Sequence, residues 1–124
     1  MSSKFIDKDV TYNIIGCAME VHKRLGNGFV ESVYEEALKI ELKYQGVGYE
    51  AQKKYPITYR DQVIKDFYCD LVVADKVVLE FKAIKQLGDV ERAQIINYLK
   101  VTNLKVGLLI NYGEKSLKYE RFVL

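Results

Sequence analysis

The sequence predicts an α/β (α+β) fold in which helices flank one mixed central β-sheet, with the element order ααβββαββ. Apolar residues first recur every three or four positions in two successive segments, as on the buried face of a helix. The period then changes to two over the next three segments, and a third helical segment separates two further strands. Because a helix between two strands usually carries the chain across a sheet, we expect helices layered on a mixed sheet.

Length and composition restrict the classes of protein that need to be considered. The 124 residues fit one domain over residues 1–124, with residues 1–8 as a flexible N-terminal stub. The 49% hydrophobic and 29% charged residues are typical of a globular protein, and the net charge of +2 neither requires nor excludes a polyanionic partner. No apolar run is long enough to span a bilayer, and the first residues lack signal-peptide features. We therefore expect a cytoplasmic protein without membrane contact, whose Cys17 and Cys69 are buried free thiols.

Three helices follow from the apolar spacing and from the residues that interrupt it. The first has its apolar face from Val10 to Leu25 and ends at the Gly26-Asn27-Gly28 segment, because glycine disfavours helix interiors. The second is predicted from Phe29 to Gln45, with Gly28 as its N-cap. The third is predicted to run to Lys100 with Asp89 as its N-cap.

The remaining segments alternate or are continuously apolar, as strands are. The first strand is expected to be interrupted at Pro56 and to lie at a sheet edge or a bulge, because proline lacks the N–H group that a sheet ladder uses. The predicted strands are 49–53 with 55–59, 65–73, 77–82, 106–111 and 117–123.

The hairpin around Asp75 contains the pattern that is most informative about chemistry. If the turn is centred there, opposite residues have numbers that sum to 150, so Asp70 faces Glu80 and Lys82 projects from the same side as Glu80. Directly opposite Cβ atoms lie about 4.5–5.5 Å apart, a distance at which two carboxylates repel. Lys82 supplies part of the positive charge that such a pair needs, and a divalent cation would supply the rest.

A solvated strand face with an incidental ion pair is the alternative explanation. Against it, the runs Leu71-Val72-Val73 and Val77-Val78-Leu79 are apolar on both faces, which indicates strands that are covered on both sides. Charges in such strands are costly unless they are paired, bind metal or face a cleft. An Asp followed by Glu-x-Lys also suits phosphodiester hydrolysis, since carboxylates hold Mg²⁺ or Mn²⁺ and a lysine stabilises developing negative charge.

The segment Gly28-Phe29-Val30-Glu31-Ser32-Val33-Tyr34 resembles the signature of the GxxExxY protein family, which is grouped with the PD-(D/E)xK nuclease superfamily. The resemblance extends from Val10 to Leu124, because further segments follow in the family's order. These segments are 21–26 before the signature, then Asp70, Glu80-Phe81-Lys82, 94–99 and 107–111.

The resemblance implies a restriction-endonuclease-like core and a set of site residues. Asp70 corresponds to the first acid of the superfamily motif, Glu80 and Lys82 to its (D/E)xK, and Cys69 stands where the motif's name puts proline. Glu31 resembles the carboxylate that the preceding helix contributes. Gln94 and Tyr98 resemble the Gln-x-x-x-Tyr helix motif of the exonuclease-like branches.

Several of these residues also have structural explanations. Glu31 would be the third residue of its helix, where it could bond the N-cap amide. Gln94 could be an exposed helix residue, Tyr98 could pack, and His22, the only histidine, is more often a helix-packing residue than a general base. Tyr98, His22 and Tyr34 are therefore accessory candidates only.

The sequence favours a Mg²⁺-dependent or Mn²⁺-dependent nuclease that hydrolyses phosphodiester bonds of DNA, or RNA, with a metal-activated water. The alternative is a non-catalytic nucleic-acid-binding or protein-interaction module on the same fold. A homodimer that places two sites across a duplex is a further expectation. The catalytic candidates are Asp70, Glu80, Lys82, Glu31 and Gln94, and the metal ligands among them are Asp70, Glu80 and Glu31.

Overall fold

The computed structural model describes residues 3–124, and within them the predicted order of helices and strands is confirmed. Helix α1 begins at Ser3, upstream of the first periodic apolar residue, and residues 1 and 2 of the predicted stub lie outside the described residues. None of the helices in the described range is long and apolar enough to cross a membrane. The elements are α1 (Ser3–Leu25), α2 (Glu31–Tyr44), β1 (Tyr49–Tyr59), β2 (Gln62–Val73), β3 (Val77–Lys82), α3 (Asp89–Thr102), β4 (Val106–Asn111) and β5 (Lys118–Val123).

The five strands form one mixed sheet in the order β1-β2-β3-β4-β5. Strands β3 and β4 pair in parallel over six residue pairs, and every other neighbouring pair is antiparallel. Helix α3 makes the crossover between β3 and β4, as the helix between two strands predicted. Helices α1 and α2 cover one face of the sheet with the main apolar core, and α3 covers the opposite face.

Strand β1 is continuous, so the predicted interruption at Pro56 is wrong. Pro56 lies opposite Asp66 in the β1–β2 ladder, and the ladder shifts register after Ile57. The prediction of an edge or a bulge is confirmed, because β1 has a neighbour on one side only and carries the register shift; a missing N–H group is tolerated there.

Both predicted N-caps are displaced. Helix α2 is capped by Val30 and helix α3 by Gly88, instead of Gly28 and Asp89. The Gly88 N–H donates to Glu91 Oε1 at 2.8 Å, which satisfies a backbone donor at the start of α3. Glu31 is consequently the first residue of α2, so the predicted bond from a third-position Glu31 to a Gly28 amide is wrong.

The hairpin register predicted from the sequence is confirmed, but its ladder is shorter than predicted. The pairs Leu71–Leu79, Val72–Val78 and Val73–Val77 each sum to 150. The ladder ends at the first of these pairs, so Asp70 and Glu80 occupy the next position, beyond the paired stretch. Their predicted direct pairing is therefore wrong, and from Cys69 back to Gln62 strand β2 pairs only with β1.

In both β1 and β2, residues that should point to one face of the sheet point to opposite faces on the two sides of the Asp70 position. Cys69 belongs to the α3-side cluster, whereas Leu71 belongs to the core under α1 and α2. In β1, Tyr49 packs on the core under α1 and α2, whereas Tyr55 packs on the α3 side. Residues an even number of positions apart share a face in a regular strand, so the backbone departs from regular alternation at Asp70.

Tyr34 fixes the loop between α1 and α2. Its ring is fully buried and stacks on Tyr112 with 4.3 Å between ring centroids. Its hydroxyl donates to the Gly26 carbonyl oxygen at 2.6 Å and accepts from the Phe29 N–H at 3.2 Å. Gly28 has φ +119°, a conformation that L side chains rarely adopt, so the loop requires glycine there.

We predict that Tyr34→Phe lowers the free energy of unfolding by about 1–3 kcal/mol, because the loop's carbonyl and amide groups lose their shared partner. Urea denaturation measures this change. Tyr44→Phe is the matched control, because Tyr44 is 84% exposed and its substitution should change the free energy by less than about 0.5 kcal/mol. Equal effects of the two substitutions would contradict the anchoring role of Tyr34.

Candidate active site

Glu80 and Lys82 form an ion pair on the α3 face of strand β3. The distance from Lys82 Nζ to Glu80 Oε1 is 3.5 Å, and the two side chains are only 16% and 13% exposed. They lie two and four positions after Val78, which packs in the α3-side cluster, so the alternation of the strand directs both to that face. The prediction that they project from the same side is confirmed.

Glu80 carries the strongest electrostatic perturbation among the described carboxylates. Its pKa is raised from 4.5 to about 7: burial is the main cause, Lys82 opposes the shift, and like-charge repulsion from Asp70 and Glu31 adds to it. Acids from α2 and β2 therefore both act on Glu80 of β3, although the three are separated in the sequence. The physical cause is desolvation of a charged group together with an excess of negative charge.

Asp70 lies at the point where β2 separates from β3. Its side chain is half-buried, and Gln52 Nε2 donates to its Oδ1 at 3.4 Å from the edge strand β1. Asp70 also raises the pKa of Glu80, Tyr98 and Glu35, which belong to three different elements. It is therefore the acid that electrostatically links the parts of this cluster.

Helix α3 contributes Tyr98 and Gln94, which are one helical turn apart. Tyr98 stacks on Phe67 with 4.3 Å between ring centroids, and its pKa is raised by burial and then by Glu80 and Asp70. Gln94 Oε1 is buried without a hydrogen-bond partner among the described residues. An unpaired buried carbonyl oxygen is costly, so it is available to a ligand, a water or a cation.

Glu35 is an acid of this region that the sequence did not single out. Its side chain is 18% exposed, and its pKa is raised by burial and by Asp70, while Lys39 at 3.4 Å opposes the shift. Glu35 lies four residues after Glu31 and therefore one helical turn further along the same side of α2. This spacing was the available signal, but the contribution depends on how α2 packs over the sheet.

His22 and Tyr34 are placed apart from this acidic cluster. His22 is buried, its Nε2 lies 2.8 Å from the Glu114 carbonyl oxygen, and its ring stacks on Tyr112. Together with the loop contacts of Tyr34, these interactions describe packing residues. A groove of about 580 Å³ between α1 and α2, lined by residues such as Tyr12 and Glu41, also contains none of the cluster's acids.

The donor atoms of the cluster suit a hard divalent cation, but their side chains would have to move closer together to coordinate one. Carboxylate oxygens of Asp70, Glu80 and Glu31, together with Gln94 Oε1, are the type of donor that Mg²⁺ and Mn²⁺ prefer. Within the part of the chain that the structure describes, no three His, Cys, Asp or Glu side chains are close enough to hold a metal as they stand. Cation binding would therefore require side-chain rotation, and the positive charge of the ion would offset the repulsion that Asp70 and Glu31 exert on Glu80.

Comparison with known proteins agrees with this geometry. The family model described as the PD-(D/E)XK nuclease superfamily matches residues 8–122. The chain belongs to the PD-(D/E)XK nuclease superfamily. Its mixed five-stranded sheet and ααβββαββ order agree with the restriction-endonuclease-like fold of that superfamily. Members of the superfamily generally use divalent metals such as Mg²⁺ and act on nucleic acids.

A solved structure supports the same fold for this superfamily member. The chain is similar to the protein in the crystal structure of SSO0001, with a TM-score of 0.55 and 17% sequence identity. The similarity covers 74% of this chain and 48% of that one, so the chain spans about half of the solved protein. No curated protein matches the sequence.

We predict that Glu80→Gln stabilises the metal-free protein above pH 7. The pKa of Glu80 is 4.5 when unperturbed and about 7 in the folded protein, so the folded state binds the proton more tightly. The resulting contribution to stability is complete below pH 4.5 and is lost as the pH rises through about 7. Glutamine lacks that loss, so the advantage of the variant should grow between pH 4.5 and 7 and reach about 3 kcal/mol at pH 8. Urea denaturation in the presence of a chelator measures it.

The charged surroundings of Glu80 in this experiment are Asp70, Glu31 and Lys82. Glu50→Gln is the surface control, because that side chain is 54% exposed and its substitution should have an effect below about 0.5 kcal/mol. A Glu80→Gln variant that is less stable than the wild type at pH 8 would contradict the electrostatic description of the site.

Proposed function

We propose that this protein is a metal-dependent nuclease that hydrolyses phosphodiester bonds of DNA. The observation that carries the proposal is the buried Glu80–Lys82 pair, placed where the like charges of Asp70 and Glu31 act on it. A structural ion pair has no need for two further acids beside it, since they oppose its formation. A site for a divalent cation does need several acids, because their combined negative charge balances the charge of the ion.

In this proposal Asp70, Glu80 and Glu31 hold the cation, each from a different element. A bound divalent cation would polarise the scissile phosphate and lower the pKa of a coordinated water. Glu80 pairs with Leu109 of β4, so the sheet fixes its backbone position, whereas Asp70 lies next to the last paired residue of β2 in the β2–β3 ladder. Glu31 comes from the first turn of α2, where it can reorient towards Glu80 without disturbing the core.

Lys82 is proposed to act on the reacting phosphate or on the attacking water. Its ammonium group is held by Glu80 and is largely shielded from solvent, which strengthens its electrostatic effect on negative charge that develops in the transition state. Gln94 is proposed to orient the water or a phosphate oxygen, because its buried Oε1 lacks a partner among the described residues. Tyr98 would support this wall of the site through its stack on Phe67.

We also propose membership of the GxxExxY family, because each named position of the signature has a physical role here. Gly28 supplies the positive φ that the loop requires, Glu31 begins α2 beside the acidic cluster, and Tyr34 ties the loop together. Gly28 at the turn and Tyr34 three residues after Glu31 thus fix the position from which Glu31 acts. The signature therefore corresponds to one loop and the start of the following helix, which together position Glu31.

The substrate class is proposed to be DNA, recognised by its shape. A chain of 124 residues with a net charge of +2 has few elements to spare for contacting base edges, so phosphate contacts and geometry would dominate. The cytoplasm is the proposed location, in keeping with the buried free thiols Cys17 and Cys69. A homodimer would place two such sites across one duplex.

We predict that Asp70→Asn and Glu80→Gln each abolish Mn²⁺ binding measured by calorimetry at neutral pH. Each substitution removes one charged ligand while keeping the side-chain volume, so a folding defect is avoided. Asp66→Asn is the matched control, because Asp66 lies four residues before Asp70 in the same strand and pairs with Lys54 instead. The absence of Mn²⁺ binding by the wild type at millimolar concentration would leave a non-catalytic nucleic-acid-binding or interaction module.

We predict that Lys82→Met keeps Mn²⁺ binding but lowers the rate of metal-dependent DNA cleavage by about 10²–10³-fold, as expected when one transition-state donor is lost. Single-stranded, duplex, nicked, flapped and branched DNA would serve as substrates, with RNA as a comparison. Lys85→Met, at an exposed lysine outside β3, is the control and should cleave at the wild-type rate. Equal rates on all DNA shapes would contradict recognition by shape.

A further inference from the structure

Gln52 has an unusual backbone conformation for a residue inside a strand. Its φ is +53°, in the left-handed region that L side chains rarely adopt. Among residues 3–124 the other non-glycine residues with positive φ lie in the β1–β2 turn, in the β2–β3 turn or at the end of α3. Those residues are Arg60, Asp61, Ala74, Asp75 and Asn103.

The strained position coincides with the candidate metal ligand Asp70. The β1–β2 ladder pairs Ala51 with Leu71 and Lys53 with Cys69, and it skips the position between them, where Gln52 and Asp70 lie opposite each other. This is also where both strands change the face that they present to the two cores. The irregular backbone of Gln52 thus occurs at the point where Asp70 leaves the regular sheet.

The side chain of Gln52 uses this conformation to contact Asp70. Its Nε2 donates to Asp70 Oδ1 at 3.4 Å, which commits one carboxylate oxygen and leaves Oδ2 outside this bond. Strained backbone conformations persist only where the surrounding structure holds them, and they are concentrated at functional sites. Irregularities in sheet edges likewise redirect side chains near active sites.

We propose that Gln52 is a positioning residue, whose left-handed backbone holds its amide against Asp70 and so orients the Asp70 carboxylate for the divalent cation. This inference rests on the proposed function, in which Asp70 is a metal ligand. Gln52 itself contacts neither the cation nor the substrate. Its effect is transmitted through Asp70, as partners of metal ligands commonly act.

Two substitutions separate the amide from the backbone strain. Gln52→Gly removes the amide and relieves the positive φ, so the melting temperature of the metal-free protein should rise by about 2–4 °C. Gln52→Ala removes the amide but keeps the strained conformation, so its melting temperature should not rise. Both variants should bind Mn²⁺ at least about tenfold more weakly than the wild type in calorimetry.

Ala51→Gly is the matched control, because Ala51 is an exposed residue in the regular part of the same strand. It should lower the melting temperature by about 2–4 °C and change the Mn²⁺ affinity by less than about twofold. Wild-type Mn²⁺ affinity in both Gln52 variants, while Asp70→Asn loses binding, would overturn the positioning role and leave the proposed function intact. Unchanged binding in Asp70→Asn would overturn the proposed function and this inference together.

The contact itself is tested without metal by nuclear magnetic resonance. The side-chain amide signals of Gln52 are assigned by their loss in Gln52→Ala, and Asp70→Asn should shift them. Asp75→Asn, in the exposed hairpin turn, should leave them in place. Signals that do not respond to Asp70→Asn would overturn the inference whatever the metal measurements give.

Discussion

The parallel pairing of β3 with β4 is the constraint on which the rest of the molecule depends. All six residues of β4 are buried, and the six residue pairs place β3 at the centre of the sheet. A parallel pair needs a crossover, so α3 is forced onto one face while α1 and α2 cover the other. Glu80 and Lys82 thereby project from the central strand of the sheet, towards the face covered by α3.

Much of this architecture follows from hydrophobic periodicity, because burial imposes a period of two on strands and 3.6 on helices. The hairpin register was predictable for the same reason, since a slip by one residue would turn Leu71 and Leu79 away from the core. The caps of α2 and α3 were not, because several residues near a helix start can serve as N-cap and the choice depends on packing. Pro56 indicates the edge position or bulge of β1, but the continuity of the strand through it depends on which side of the residue its neighbour lies.

The acidic cluster was only partly predictable. Asp70, Glu80 and Lys82 follow from the hairpin, and Glu31 and Gln94 followed only from a family resemblance, whereas Glu35 depends on how α2 is laid over the sheet. The irregular backbone at Asp70 could not be predicted, because the alternation pattern assumes that every second residue of a strand points to the same face along its whole length. The positive φ of Gln52 could not be predicted from the sequence, since glutamine is not a residue that favours this conformation.

The repulsion that Asp70 and Glu31 exert on Glu80 destabilises the folded state, and the burial of Glu80 makes this destabilisation larger. The sheet holds Glu80 in a position that disfavours its negative charge, and the burial of apolar residues on both faces of the sheet offsets the lost stability. Such a conflict between local electrostatics and global packing is expected where a protein binds a charged ligand. The three elements that carry the acids are therefore held together by apolar contacts instead of by the acids themselves.

Cys69, directly before Asp70, has a thiol that is closed to reagents in solution. It is 1% exposed, and its Sγ donates to the Leu71 carbonyl oxygen at 3.4 Å. Burial also raises the pKa of the thiol to about 12. Because oxidants and alkylating reagents attack accessible thiolates, this segment of β2 should resist both while the domain stays folded.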